Sequence, residues 1–161
     1  MYNKILDDVL EYYARTDMSQ IDHTLKVTYL TRRIAEKEGY SKQAADILET
    51  SALLHDIGCP NSKLKYGNTL PANQEKEGMI VAKEILSYEK YSNIDSEIKE
   101  RIIKIVGGHH QKNKAIELKF MPLFEADAII NMTEGYFKNS DIARRLLSSH
   151  TSLQIFDKIY Q

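Results

Sequence analysis

The chain has 161 residues, 42% hydrophobic and 28% charged, and its 22 Lys and Arg face 23 Asp and Glu for a formal net charge of -1. Such a length is most simply one domain with room for a sizeable core, and the balanced charge excludes a global basic footprint for nucleic acid. The single cysteine, Cys59, excludes an intramolecular disulfide and a cysteine-rich zinc site. No run approaches the roughly 18–20 apolar residues of a membrane span. The start, Met1-Tyr2-Asn3-Lys4, does not read as a signal peptide, so a cytoplasmic location is expected.

Apolar residues recur at helical spacing along most of the chain, and no segment alternates with period two. Ile5, Leu6, Val9, Leu10 and Tyr13 form the face of a first helix. A second is expected from about Ser19 to Glu38, with Ile21, Leu25, Tyr29 and Ile34 aligned and Gly39 as its stop. Ser41 is a good N-cap for a third, which runs through Ala44, Ala45, Ile47, Leu48, Ala52 and Leu54 to His55-Asp56. Residues 59 to about 73, rich in Asn, Pro, Lys and Gly, read as a long loop, and long loops in compact domains are often functional.

A fourth helix is expected from Gln74 to about Tyr88, and a fifth with Ile94, Ile98, Ile102 and Ile105 ends at Gly107-Gly108. A second loop spans His110 to Glu117. Pro122 suits the first turn of a sixth helix through Leu123, Phe124, Ala126, Ile129 and Ile130. Asn139 or Ser140 caps a seventh, and a last short helix covers about Ser152 to Tyr160. Ile142, Leu146, Leu147, Leu153, Ile155 and Phe156 of these last two helices either complete the core or cover a partner, which leaves a homodimer open. The expected fold is a single all-α domain over 1–161, with no internal repeat.

The most informative segment is Ala52-Leu53-Leu54-His55-Asp56-Ile57-Gly58. An imidazole and a carboxylate at the end of an apolar helix must be satisfied, because burying them unpaired costs on the order of a few kcal/mol. A divalent metal satisfies both together. Neighbouring side chains on a helix point about 100° apart, so a consecutive His-Asp shares one ion more readily at a helix end, where the backbone adjusts. Asp127 is a second carboxylate among apolar neighbours, in Phe124-Glu125-Ala126-Asp127-Ala128-Ile129-Ile130. Its bland alternative is a buried ion pair with Arg32, Arg33 or Arg101. His23 lies upstream, and His109-His110 lies between.

Together these residues resemble the HD-domain family of metal-dependent phosphohydrolases, over about residues 18 to 135. Ile21-Asp22-His23-Thr24-Leu25-Lys26-Val27 looks like the family's first-histidine segment, Ala52 to Gly58 like its central motif, and Glu125-Ala126-Asp127 like its closing aspartate. The resemblance implies a helical bundle of the HD-domain, phosphodiesterase-like type, with His23, His55, Asp56 and Asp127 as metal ligands. Two imidazoles and two carboxylates give mixed nitrogen and oxygen ligation, suited to Mn, Fe, Ni, Co or Mg. The expected chemistry is hydrolysis of a phosphate ester, of a nucleotide or another small phosphorylated metabolite, through a metal-activated water in which Asp56 takes part.

The chain departs from the family pattern in two places. Two-metal members usually carry a histidine four residues before the glycine that matches Gly78, where this chain has Gln74. His109 matches a second such histidine, with His110 beside it. One metal is therefore expected, with a second left open through His109, His110, Gln74 and Glu75, or Glu77. Cys59 stands where some single-metal members place an acid/base glutamate, so proton transfer falls to Glu77, His109 or His110. Lys63 and Lys65 are the expected phosphate binders, with Lys112 and Lys114 in the second loop. The rival reading is a catalytically degenerate metal- and nucleotide-binding module with a regulatory role; a purely structural helical protein is a third. Neither a membrane nor a sequence-specific nucleic acid is expected as a partner.

Overall fold

The structure, a computed structural model, describes residues 2–160. Among them every regular element is helical: α1 (Tyr2–Thr16), α2 (Gln20–Lys37), α3 (Lys42–Leu54), α4 (Cys59–Tyr66), α5 (Pro71–Leu86), α6 (Ser96–Val106), α7 (Lys112–Glu117), α8 (Met121–Thr133), α9 (Ser140–Leu146) and α10 (His150–Tyr160), with one 3-10 turn at Glu89–Tyr91. The expected all-α class is what the chain adopts. None of the described helices is long and apolar enough to cross a membrane.

The third helix is the centre. From Ile47 to Leu54 every residue of α3 except Glu49 is buried, as a helix packed on several sides requires. Its neighbours are α1, α2, α6 and α8, and α2 in turn packs along α8. Ile5, Val9 and Tyr13 of α1 are fully covered, the face that their spacing predicts. The hydroxyls of Thr50 and Ser51, buried in α3, donate to the carbonyls of Asp46 and Ile47, each at 2.8 Å. Buried polar atoms that keep such a partner cost little.

Two caps act as their chemistry predicts. The Ser41 hydroxyl accepts from the Ala44 amide at 3.2 Å, and the Asn139 side chain accepts from Ile142 N at 3.1 Å, amides that have no partner within the helix. The chain reverses after α2 at Gly39, whose φ of +77° is open to glycine at no steric cost.

Both expected loops are corrected. Residues 59 to 73 contain α4 and the first turn of α5, and residues 110 to 117 contain α7. Pro60 and Pro71 lie in the first turns of α4 and α5, where a missing N–H costs nothing, so they begin helices instead of marking a loop. The short α4 and α7 bury few side chains, Cys59 and Ser62 in one and Ala115 in the other, so no apolar stripe announces them. The last helix begins at His150, two residues before the expected Ser152.

The C-terminal helices complete a second apolar cluster. Ala128 and Ile129 of α8 pack there with Ala143, Leu147 and Phe156, and with the half-buried Leu146, Leu153 and Ile155. Glu125, fully buried, holds this unit down. It accepts from the amides of Ser148 (2.6 Å) and Ser149 (2.9 Å) and from the hydroxyls of Ser148, Ser149 and Ser152. Burial opposes its charge, but these donors, Ser149 foremost, hold its pKa below the usual glutamate value.

Candidate metal centre

The turn between α3 and α4 delivers the His-Asp pair. Gly58 makes that turn possible by lying against α5: a Cβ there would overlap the Gln74 carbonyl oxygen and the Gly78 amide nitrogen. With His55 capping α3 and Asp56 one step further on, the two side chains turn towards each other, His55 Nε2 to Asp56 Oδ2 at 3.4 Å. From α2 comes His23, whose Nε2 lies 3.3 Å from His55 Nε2, 3.6 Å from Asp56 Oδ2 and 3.2 Å from Asp127 Oδ1. Asp127, from α8, is 3.8 Å from His55 Nε2. Its other partner is the Asn131 amide at 2.8 Å, not an arginine. Arg32 is engaged with Glu36, Asp46 and Glu49.

The imidazoles are oriented from behind. His55 Nδ1 donates to the Ala52 carbonyl at 2.7 Å and His109 Nδ1 to the Val106 carbonyl at 2.8 Å. His23 Nδ1 donates to Glu134 Oε2 at 2.8 Å. Each ring therefore turns Nε2 to the interior, the nitrogen that a metal-ligating histidine held in this way offers. His55 and His109 are 1% exposed, and His109 Nε2, 3.4 Å from Asp56 Oδ1, has no well-formed hydrogen bond. A buried nitrogen without a partner is costly. A cation would satisfy it.

Two groups of side chains, His23-His55-Asp56 and Asp56-His109-His110, bring their ligand atoms within 4.8 Å of one another. Asp56 belongs to both, with Oδ2 towards His23 and His55 and Oδ1 towards His109. Burial alone would raise the pKa of Asp56, yet the imidazoles, His55 foremost, hold it far below the carboxylate range. Asp127 is lowered likewise, chiefly by its hydrogen bond with His23. Burial works against a charge on His23 too, but the bond to Asp127 and the nearby carboxylates overcome it and raise its pKa to about 9. Burial prevails at His55, whose pKa is pushed down. Two ionised carboxylates thus face imidazole Nε2 atoms, a donor set that fits a divalent metal of mixed nitrogen and oxygen preference.

Above the cluster opens a cavity of about 700 Å³, within the range of small-molecule sites. His23, Asp56 and Asp127 line it, together with Asn131, Glu134, Tyr136, Phe137, Cys59, Lys63, Gln74 and His110. Lys63 Nζ is 2.6 Å from Asp17. Lys65 is not brought there: two positions on along a helix means about 200° of rotation, and its ammonium pairs with Glu77 at 2.6 Å. Glu77, buried, also accepts from Tyr66 at 3.0 Å and does not line the cavity; nor do Lys112 and Lys114.

Gln74 stands between Cys59 and His110. Its side-chain Oε1 accepts from the Cys59 thiol at 2.7 Å and its side-chain Nε2 lies 2.6 Å from His110 Nε2. Glu75 stands behind the same imidazole, its Oε1 3.2 Å from His110 Nδ1. Burial drives the Cys59 thiol pKa well up, so it is no nucleophile at neutral pH. Asn131, Glu134 and Tyr136 were not singled out from sequence. A signal existed for two of them: Asp127, Asn131 and Glu134 are spaced i, i+4, i+7, one stripe of α8 and its cap.

An all-helical scaffold that gathers imidazoles and carboxylates from α2, the α3–α4 turn and α8 around one point has the design of a helical metal-site protein. A family model described as the HD domain matches residues 21–132. The chain belongs to the HD-domain family, whose members are generally metal-dependent phosphohydrolases. No curated protein and no solved structure matches the chain.

Proposed function

We propose that the chain is a metal-dependent phosphohydrolase that cleaves a phosphate ester of a nucleotide or other small phosphorylated metabolite. The observation that carries this reading is the convergence of Nε2 atoms, each with its Nδ1 tied off behind it, on the ionised carboxylates of Asp56 and Asp127. His23, His55, Asp56 and Asp127 would hold one divalent metal, and Asp56 with His109 and His110 would accommodate a second. When bound, the metal supplies Lewis acidity, activating water and polarising the phosphoryl group.

The chain's own residues do the rest. His110 is at the cavity wall with Glu75 behind it, the arrangement of an imidazole oriented for proton transfer. Lys63, on the rim, contributes positive charge beside the phosphate. Tyr136, 75% exposed, and Phe137 offer flat apolar surface to the remainder of the substrate, for which a nucleobase is the natural match.

The second reading, a binding module without turnover, is favoured by Cys59 and Gln74, which hydrogen-bond to each other, with Gln74 also bonded to His110, where catalytic groups would otherwise stand. One experiment separates the two. Metal content is measured on protein purified without chelator or nickel resin, followed by phosphate release from a panel of phosphate esters. About one or two equivalents of metal with turnover supports the hydrolase. Metal with sub-micromolar nucleotide binding and no release supports the module, and failure to take up Mn²⁺ or Fe²⁺ overturns both.

A further inference from the structure

His23 differs from the other imidazoles of the cluster in what stands behind it. His55 and His109 each donate Nδ1–H to a backbone carbonyl three residues earlier, Ala52 and Val106, because each sits just beyond a helix where such carbonyls are left over. His23 lies in the first turn of α2, where the carbonyls are committed to the helix itself. Its Nδ1 partner comes from elsewhere: Glu134, the residue that caps α8.

The same helix thus holds one ring from both sides. Asp127 Oδ1 is 3.2 Å from His23 Nε2, and Glu134 Oε2, seven residues on, is 2.8 Å from Nδ1. Glu134 is itself aimed, since its Oε1 accepts from Lys26 Nζ at 3.3 Å, one turn along α2 from His23. A carboxylate behind a ligating imidazole fixes the tautomer and ring orientation and increases the basicity of the ligating nitrogen.

We propose that Glu134 is a positioning residue for the metal: it reaches the ion only through His23, holding the Nε2 lone pair on the point shared with His55, Asp56 and Asp127. The proposal rests on the reading that a divalent metal binds there. It adds a determinant of metal affinity that lies outside the ligand set and belongs to the end of α8.

The test is Co²⁺ binding to the full chain, with affinity from chelator competition and the visible absorption of bound Co²⁺ as a signature of ligand geometry. Glu134→Ala is expected to weaken Co²⁺ binding by about 10- to 100-fold, the usual cost of losing such a partner, and to shift the Co²⁺ spectrum. Glu134→Gln, whose amide oxygen still accepts from Nδ1 but carries no charge, is expected to lose about tenfold. Lys26→Met, which removes the other partner of Glu134, is expected to change the affinity less than Glu134→Ala. A Glu134→Ala protein with wild-type affinity and spectrum overturns the proposal, as does equal loss in Lys26→Met and Glu134→Ala, which would make the cluster a plain tie between α2 and α8. If Glu134→Ala does not fold, wild-type affinity in Glu134→Gln overturns it. Failure of the wild-type chain to bind Co²⁺ removes the metal reading as well, whereas tight wild-type binding with indifferent variants removes this inference alone.

Discussion

The backbone of Gly58 lies directly against that of Gly78, so closely that a Cβ on Gly58 would overlap the Gly78 nitrogen and the Gln74 carbonyl oxygen. Through this contact the first turn of α4 sits on α5, and the turn carrying Asp56 is pinned two residues from its functional carboxylate. Backbone cannot give way as the end of a flexible side chain can. Gly58→Ala is therefore expected to destabilise the fold by about 3 kcal/mol, the upper end of the usual overpacking cost, and to impair metal uptake. Urea midpoints and metal content check both; an unchanged midpoint would mean that α5 is free to retreat.

Removing either end of the ligand set has a different signature. Asp127→Ala and His55→Ala are expected to abolish metal retention and turnover together, since each removes a donor facing the same point. Metal analysis beside phosphate release decides it. An active, metal-replete Asp127→Ala protein would sink the ligand assignment.

Metal uptake should release protons. In the metal-free chain the pKa of His23 is raised from 6.5 to about 9, so near neutral pH its Nε2 carries a proton that a metal must displace. Calorimetry in buffers of different ionisation enthalpy should register about one proton from this residue at pH 7 and less as the pH passes 9. The sign for stability follows: a histidine whose pKa is raised on folding stabilises fully below 6.5, and that contribution disappears as the pH rises through about 9. Metal-free protein should lose melting temperature over that interval, and metal-loaded protein should not follow it.

Proton transfer is separable from metal binding. His110→Ala is expected to lower kcat by about 10²- to 10⁴-fold, the usual range for a lost acid or base, while at least one equivalent of metal remains on His23, His55, Asp56 and Asp127. Glu75→Gln, which leaves an acceptor behind His110 but no charge, should fall between the two. Loss of metal without loss of kcat per bound metal would assign His110 to ligation instead.

Glu125 makes a prediction about stability alone. Its carboxylate is fully buried and serves the amides and hydroxyls just ahead of α10 and in its first turn. Glu125→Ala is expected to cost about 3 kcal/mol, since hydrogen bonds to a charged group are worth more than neutral ones and the donors are left unpaired. Amide hydrogen exchange should show α9 and α10 losing protection first; uniform loss across the chain would mean that the whole core depends on this carboxylate.

Much of the helical order is legible without coordinates, and so are the residues of the cluster, because periodicity and composition are local. Ile5, Val9 and Tyr13 mark a buried face by spacing alone, and Ser41 and Asn139 mark helix starts by the bond each side chain accepts from an amide three residues on. A histidine and an aspartate at the end of an apolar helix announce a site for the same reason: their burial must be compensated. The short α4 and α7 escape such a reading, having almost no apolar stripe, and Pro60 of α4 suits a first helical turn as well as a loop.

Only the tertiary structure decides what those residues face. Lys63 and Lys65 are equivalent in sequence, yet the rotation of α4 sends one to the cavity rim and the other to Glu77. Glu134 is an ordinary surface-type glutamate until α8 is laid along α2 and its carboxylate meets Nδ1 of His23, 111 positions away in the chain. The sequence determines which groups need a partner, because that is a property of each side chain and its neighbours. Which partner they receive is decided by the packing of one helix on another, since hydrogen bonds and metal ligation depend on distances that sequence separation does not encode.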